Sequence, residues 1–352
     1  MCLSPFIAYP NTRIVNISRI NNDTLLKAFA WISFIWLIAV IIFSWPFFLR
    51  NLASDIQETR TSFSQGEGDS YLLFLPLGVR IPLVILNMLF SCSWILLFLS
   101  FYCLLIQKLP SKYFWLYFLA SLSTIYYGVL AVDRAKTTYW IISFFIMFFF
   151  YKPYMSKQNK KRLQYVFYFF TGVAILYLAY ITIGRFGERY YGSVSGSQGG
   201  IITYLGQNYI NFCFFFDNYT PPVSDLSLIF PFFHKYILGQ DSVDAVTIQT
   251  FMSFKTGFET GVFYTFIGHI IIAAGQIVAI VFCLCYSLLA AKLLHPFRIR
   301  AIASPFKALL YLALSSVLFQ GLWVHYYTSA PLTFSLFFFL ITINLMGQRN
   351  IK

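Results

Sequence analysis

The apolar residues of this chain come in long blocks, and those blocks decide what it can fold into. A helix needs about 20 apolar residues to cross a hydrocarbon core about 30 Å thick. Eight stretches approach or reach that length: 28–48, 82–106, 113–132, 138–151, 165–183, 267–289, 306–322 and 332–346. The fourth is short for a full crossing, and 71–80, ahead of the second, reads as an interfacial segment. The pattern predicts an all-α, polytopic integral membrane protein with about eight transmembrane helices. Residues 1–352 form a single membrane domain in this reading.

Composition agrees with the blocks. Charged residues make up 11% of the 352 positions and hydrophobic residues 59%, whereas a soluble domain carries about 25% charged residues. In a soluble protein a net charge of +13 points to nucleic acid. In a chain this apolar it points to membrane topology instead, so the expected partner is the lipid bilayer and not nucleic acid. The 42 Phe read mainly as lipid-facing bulk. The first 24 residues are polar and mixed, and no removable signal peptide is expected. Six cysteines form no Cys-x-x-Cys, so neither a disulfide framework nor a zinc site is predicted.

Lys and Arg in the loops set orientation. With the N-terminus inside, 16 of the 25 basic residues fall on the cytoplasmic side, and of the 12 acids only Asp23 does. Both termini are then cytoplasmic. The longest segment outside the blocks, 184–260, becomes a single extracytoplasmic loop. Within it, 201–216 is apolar but carries Gln207, Asn208 and Asn211 and ends at Asp217. Counting it as a crossing would move the basic loop 295–307 outside, so it reads as an interfacial helix. Ile201, Leu205, Tyr209 and Phe212 make its apolar face, and Thr203, Gln207 and Asn211 make a polar stripe opposite. Stretch 226–238 is a second short patch of this kind.

Charges near the outer ends of the spans are the candidate site residues, because ionisable groups close to the membrane are costly and often functional. Arg185 and Arg189 stand four apart and share a face if the helix continues. Two guanidinium forks can grip a diphosphate bidentately; the bland alternative is a snorkelling pair. Arg134 and Lys136 lie in a tight outer turn, against the inside-positive trend. Their bland alternative is a local Asp133–Arg134 pair, which contributes about 0–1 kcal/mol. Arg80 sits between Gly78 and Pro82 at the mouth of a span. His269, just inside the outer end of the span 267–289, can act as a general base near neutral pH, although a lone His more often serves structure. His325, in the outer turn 323–327, and His234 have the same two readings. Glu259 is a second candidate base, with an ordinary Lys255–Glu259 helix pair as its alternative. Asp241-x-x-Asp244 and Glu67-x-Asp69 could hold magnesium, although both are sparse beside real metal-diphosphate motifs. No cofactor motif is found: no Walker loop, dinucleotide fingerprint or nucleophile elbow.

Several stretches together resemble a known family. They are Leu3-Ser4-Pro5-Phe6, the turn 133–138 with its arginine, and Gly184-Arg185 opening a long outer loop. Gly261-Val262-Phe263-Tyr264-Thr265-Phe266 running into Ala274-Gly275-Gln276 completes the set. In these features the chain resembles the Wzy-type oligosaccharide repeat-unit polymerases of bacterial O-antigen and capsule synthesis. Arg185 with Gly196, and Arg189 with Gly200, are similar to an arginine–glycine spacing in some members. Eight blocks are fewer than the family usually shows, and Val132-Asp133 stands where Gly-Ser usually precedes the turn arginine.

The resemblance implies a glycosyltransferase at the outer face of the bacterial cytoplasmic (inner) membrane. Its substrates would be polyprenyl-diphosphate-linked oligosaccharides. Its partners would include a chain-length regulator and a flippase. Arg134, Arg185 and Arg189 would hold the diphosphate, Gln207 and Asn211 would face the sugars, Arg80, Lys136 and His325 would also bind substrate, and His269 or Glu259 would serve as base. Two other classes fit less closely: an O-antigen ligase, and a repeat-unit flippase, which calls for charges along a mid-membrane path.

Overall fold

The computed structural model describes residues 17–20, 23–53, 72, 74–131, 134–186, 190–191, 194–195, 213, 216–217, 231–239, 266–298, 303–320 and 330–347. These residues are almost all helical. In chain order the helices are α1 (Asp23–Ala53), α2 (Leu77–Phe90), α3 (Ser93–Phe101), α4 (Ser111–Ser121), α5 (Ser123–Leu130), α6 (Arg134–Tyr151) and α7 (Lys157–Phe186). They continue with α8 (Pro231–Tyr236), α9 (Phe266–Ala274), α10 (Gln276–Arg298), α11 (Pro305–Gln320) and α12 (Ala330–Gly347). Between α7 and α8 the two-residue strands β1 (Tyr190–Tyr191) and β2 (Val194–Ser195) pair antiparallel. Among the described residues, 23–51 and 111–130 are long and apolar enough to cross a membrane, and α2 with α3 makes a third if the bent pair is one span.

The chain forms two compact units. One comprises Ser18–Gly200 with Phe338–Lys352, the other Met1–Ile17 with Ile201–Phe337.

In the first unit α1, the α2–α3 pair, the α4–α5 pair, α6 and α7 alternate in direction, and cross-helix contacts fix the register. Along α1 and the α4–α5 pair, Tyr117 Oη donates to the Leu26 carbonyl at 2.7 Å and Asn51 Nδ2 donates to the Leu130 carbonyl at 2.9 Å. Both sequences ascend together, so these helices run parallel. The α2–α3 pair descends between them: Trp36 pairs with Asn87 near its start, and Ile20 pairs with Tyr102 and Gln107 near its end. Helix α6 descends too, with Lys136 beside Tyr127, Trp140 bonded to Ser121, and Phe144 against Phe118. Helix α7 ascends, with Phe167 against Phe144, Phe170 against Trp140, and Tyr177 bonded to Gly128.

Helix α3 is the axis of this bundle, with every residue from Ser93 to Phe101 buried. An apolar run lacking a polar face can be hidden on all sides, which suits a central helix. Aromatic rings close the core. Phe101 stacks on Tyr151 at 5.6 Å and meets Phe144 edge-on at 5.6 Å. Such pairs contribute about 0.5–1.5 kcal/mol each beyond their buried area.

Two departures from the apolar blocks matter. The block 82–106 is not one straight helix: α2 begins at Leu77, so Arg80 is helical, and the chain bends by 65° between α2 and α3. Cys92, at φ −88° and ψ 83°, leaves the helical region there. At the other end the α3 helix widens into a π-helical stretch, Tyr102–Ile106. It stops with Lys108 at φ 55° and the Leu109 N–H bonded to the Cys103 carbonyl at 2.9 Å. Such a left-handed residue at a helix C-terminus is usually glycine.

In the second unit the block 267–289 also fails to form one helix. Gly275, at φ 88°, separates α9 from α10. Phe266 and Phe282 nevertheless bring their rings within 6.5 Å. On a straight helix 16 positions span about 24 Å, so α9 folds back along α10. Gly275 permits the reversal because it lacks a Cβ. Helix α11 joins through Tyr286, whose hydroxyl donates to the Leu314 carbonyl. Ser304 caps its start by accepting from the Lys307 N–H at 3.3 Å. Ile17 and Ala303 form an isolated parallel bridge.

Candidate functional site

The alternation of helices gathers three of the anticipated arginines at one end of the first unit. Arg80 lies in the first turn of α2, Arg134 opens α6, and Arg185 lies next to the end of α7. The bonds Asn51 to Leu130 and Tyr177 to Gly128 mark this same end. From Tyr177, Arg185 is eight residues further along the 30-residue α7, about 12 Å at the helical rise. The side chains of Arg134 and Arg185 lie outside the described residues, and Arg80 is half-buried.

Below these positions a polar cluster is built from four elements. Asn87 stands seven residues after Arg80 on α2, two helical turns on and on the same face. Its Oδ1 accepts from the Trp36 indole N–H at 2.7 Å and from the Tyr127 hydroxyl at 3.4 Å. The Lys136 ammonium lies 5.9 Å from the centre of the Tyr127 ring, a cation over an aromatic face. Next to Tyr127, Tyr126 shares a hydrogen bond of 2.6 Å with Ser44 and stacks on Phe48 at 6.1 Å.

Each position has a local reason. Trp36 is nearly fully buried on α1, so its N–H needs a partner, and a carboxamide oxygen supplies one. Lys136, two residues into α6, lies half-buried with its charge over a ring. Among the described residues this end holds no carboxylate. What its described side chains offer is donors and cations: the Arg80 guanidinium, the Lys136 ammonium and the Asn87 amide. That set is fitted to receive anionic oxygens or hydroxyls, and in a low-dielectric setting such groups interact more strongly than in water.

Two further donors stay open. Trp94 is almost fully buried one residue into α3, beside the bend, and its indole N–H has no hydrogen-bond partner. Thr137, next to Lys136, is fully buried with its hydroxyl unpaired. Buried polar groups are rarely left so, and both belong to elements that frame the cluster.

The other anticipated residues divide as follows. Arg189, Gln207, Asn211, Glu259 and His325 lie outside the described residues. His269 sits on α9 in the second unit, and its side chain lies outside them too. His234, on the short helix α8, has a buried Nδ1 without a partner. Most of the stretch 201–216 is likewise not described; of 226–238, α8 and the two residues after it are helix and turn.

The sequence reading missed Trp36, Asn87 and Tyr127. A signal existed for Asn87, an amide inside the apolar run 82–106, where a polar group at membrane depth needs a partner. Nothing in the sequence pairs it with Trp36, 51 residues earlier. In comparisons with known proteins, no family model, no curated protein and no solved structure matches this chain.

Proposed function

We propose that this chain is a multi-pass enzyme of the bacterial cytoplasmic membrane that polymerises lipid-linked oligosaccharide repeat units. Eight spans with both termini inside is the topology that goes with this reading. The membrane part draws support from the outward faces of the helices. Trp31, Ile35, Ile38, Ile42, Trp45 and Leu49 on α1 are exposed, as are Ile277, Ile280, Val281, Leu284 and Leu288 on α10. Exposed apolar surface on this scale suits lipid contact.

The observation that carries the catalytic part is the common end of α2, α6 and α7, with Arg80, Arg134 and Arg185 on it. In the proposed reaction a sugar hydroxyl of the acceptor repeat attacks the anomeric carbon of the donor glycan. The bond from that carbon to the polyprenyl diphosphate breaks, and the diphosphate leaves with the electron pair. The hydroxyl proton passes to a base. Guanidinium groups aimed at the diphosphate oppose the charge that builds on it. Lys136 and the Asn87 amide extend the same donor surface toward sugar oxygens.

The test is genetic and chemical. Alanine at Arg134, Arg185 and Arg189, singly, is expected to leave expression intact and to stop surface glycan at a single repeat. Normal polymer in all three variants defeats the proposal. A null strain that accumulates polymer on the carrier lipid indicates a ligase instead.

A further inference from the structure

The other end of the first unit carries a second, unrelated concentration of positive charge. Five basic residues lie between the end of α6 and the second turn of α7: Lys152, Lys157, Lys160, Lys161 and Arg162. Lys160 is half-buried and the other four are exposed. Lys108 and Lys112, both exposed, flank the turn between the π-helical stretch and α4 at the same end. Bonds from Arg19 to the Ile106 carbonyl and from Ile20 to Gln107 fix that end. Among the described residues the carboxylate here is Asp23, and Gln107 holds it.

This arrangement runs against helix stability. The start of a helix carries a partial positive charge and favours acids. Helix α7 has no acid in its first turn and opens with basic residues after Ser156, whose hydroxyl accepts from the Asn159 N–H at 3.2 Å. Positive charge stacked on a positive dipole calls for an external anion.

The neighbours of these lysines indicate where that anion sits. The Lys112 ammonium lies 5.2 Å from the Tyr113 ring, Lys152 lies 5.7 Å from Phe149, and Lys161 lies 6.0 Å from Tyr165. Phe149, Tyr165, Tyr168 and Phe169 are themselves largely exposed. Exposed aromatic rings with basic tips beyond them match the headgroup layer of a bilayer, where rings sit at the boundary and cations reach the phosphates.

We propose that the α6–α7 turn is a binding surface for anionic phospholipid headgroups, with Lys157, Lys160, Lys161 and Arg162 as its centre. The proposal rests on the membrane reading but not on the glycosyltransferase one. A polybasic segment beside a span is attracted to an anionic leaflet, and salt weakens the attraction.

The test uses the full chain in vesicles of phosphatidylcholine alone and of phosphatidylcholine with phosphatidylglycerol. Anionic lipid is expected to raise the apparent Tm by several degrees, and high sodium chloride to erase most of that rise. Together K157Q, K160Q, K161Q and R162Q should remove more than half of the rise while leaving Tm in phosphatidylcholine no lower. The triple variant K157R, K160R and K161R should keep the rise. An equal rise in the neutralised variant overturns the proposal, as does inorganic phosphate reproducing the rise without anionic lipid. Failure of the chain to insert into either vesicle overturns the membrane reading and this proposal with it. Insertion without lipid dependence overturns this proposal alone.

Discussion

The indole N–H of Trp36 donates to Oδ1 of Asn87 at 2.7 Å, joining α1 to the descending helix that carries Arg80. Trp36 is nearly fully buried, so the bond satisfies a donor that water does not reach. Removing one partner from a buried pair costs more than removing both. We therefore expect N87A to destabilise by about 1–3 kcal/mol. W36F should remove the donor at lower cost, apart from the smaller ring. The double variant should show a coupling of about 1 kcal/mol in a cycle read by thermal unfolding. Strict additivity would mean that the bond contributes nothing. Asn87→Asp keeps the acceptor for Trp36 but adds negative charge to an end built of cations. If the proposed polymerase reaction runs at this end, glycan output should fall about tenfold or more, because negative charge there opposes the charge that builds on the departing diphosphate.

The reversal at Gly275 gives a distance test. With the native cysteines replaced, cysteines at positions 266 and 282 should be joined by a short bifunctional thiol cross-linker, since the rings there approach within 6.5 Å. A continuous helix would hold the two positions about 24 Å apart, and no cross-link would form. Gly275→Ala should destabilise the second unit by about 1–2 kcal/mol, because an L residue at φ 88° is strained.

The opposite end of the first unit is held by Gln107. Its Oε1 accepts from the Ile20 N–H at 3.1 Å, and its Nε2 donates to the Ile20 carbonyl and to Asp23. The Tyr102 hydroxyl also accepts from the Ile20 N–H, at 2.9 Å, and donates to the Ser18 carbonyl at 2.9 Å. Gln107→Leu leaves the Ile20 carbonyl, Asp23 and half of this junction unserved. We expect a loss of about 1–3 kcal/mol, together with faster proteolysis ahead of α1. Tyr102→Phe should cost about 1 kcal/mol. No change in either measurement would show that the junction does not hold the segment.

Much of the fold was legible because hydrophobic blocks of helical length leave few alternatives. Helices cover most of the apolar blocks, but Arg134 and Lys136, expected in a turn, lie instead in the first turn of α6. The bend near Ser91 and the reversal at Gly275 were not legible. Neither carries a proline at the break, and composition does not distinguish a glycine that continues a helix from one that reverses it. The arginines of the candidate site were visible as charges out of place. The cluster beneath them was not, since Trp36, Asn87, Tyr127 and Lys136 come from four elements, and only tertiary packing shows that they meet.

Ser93–Phe101 is enclosed by the rest of its unit, while the 65° kink just before it interrupts the backbone ladder. Among the described residues, this deeply buried stretch thus adjoins a natural pivot. Deuterium uptake should be slowest along that inner rod and should rise abruptly at Ser91 and Cys92. Any rocking of the arginine-bearing segment would then turn about a fixed post.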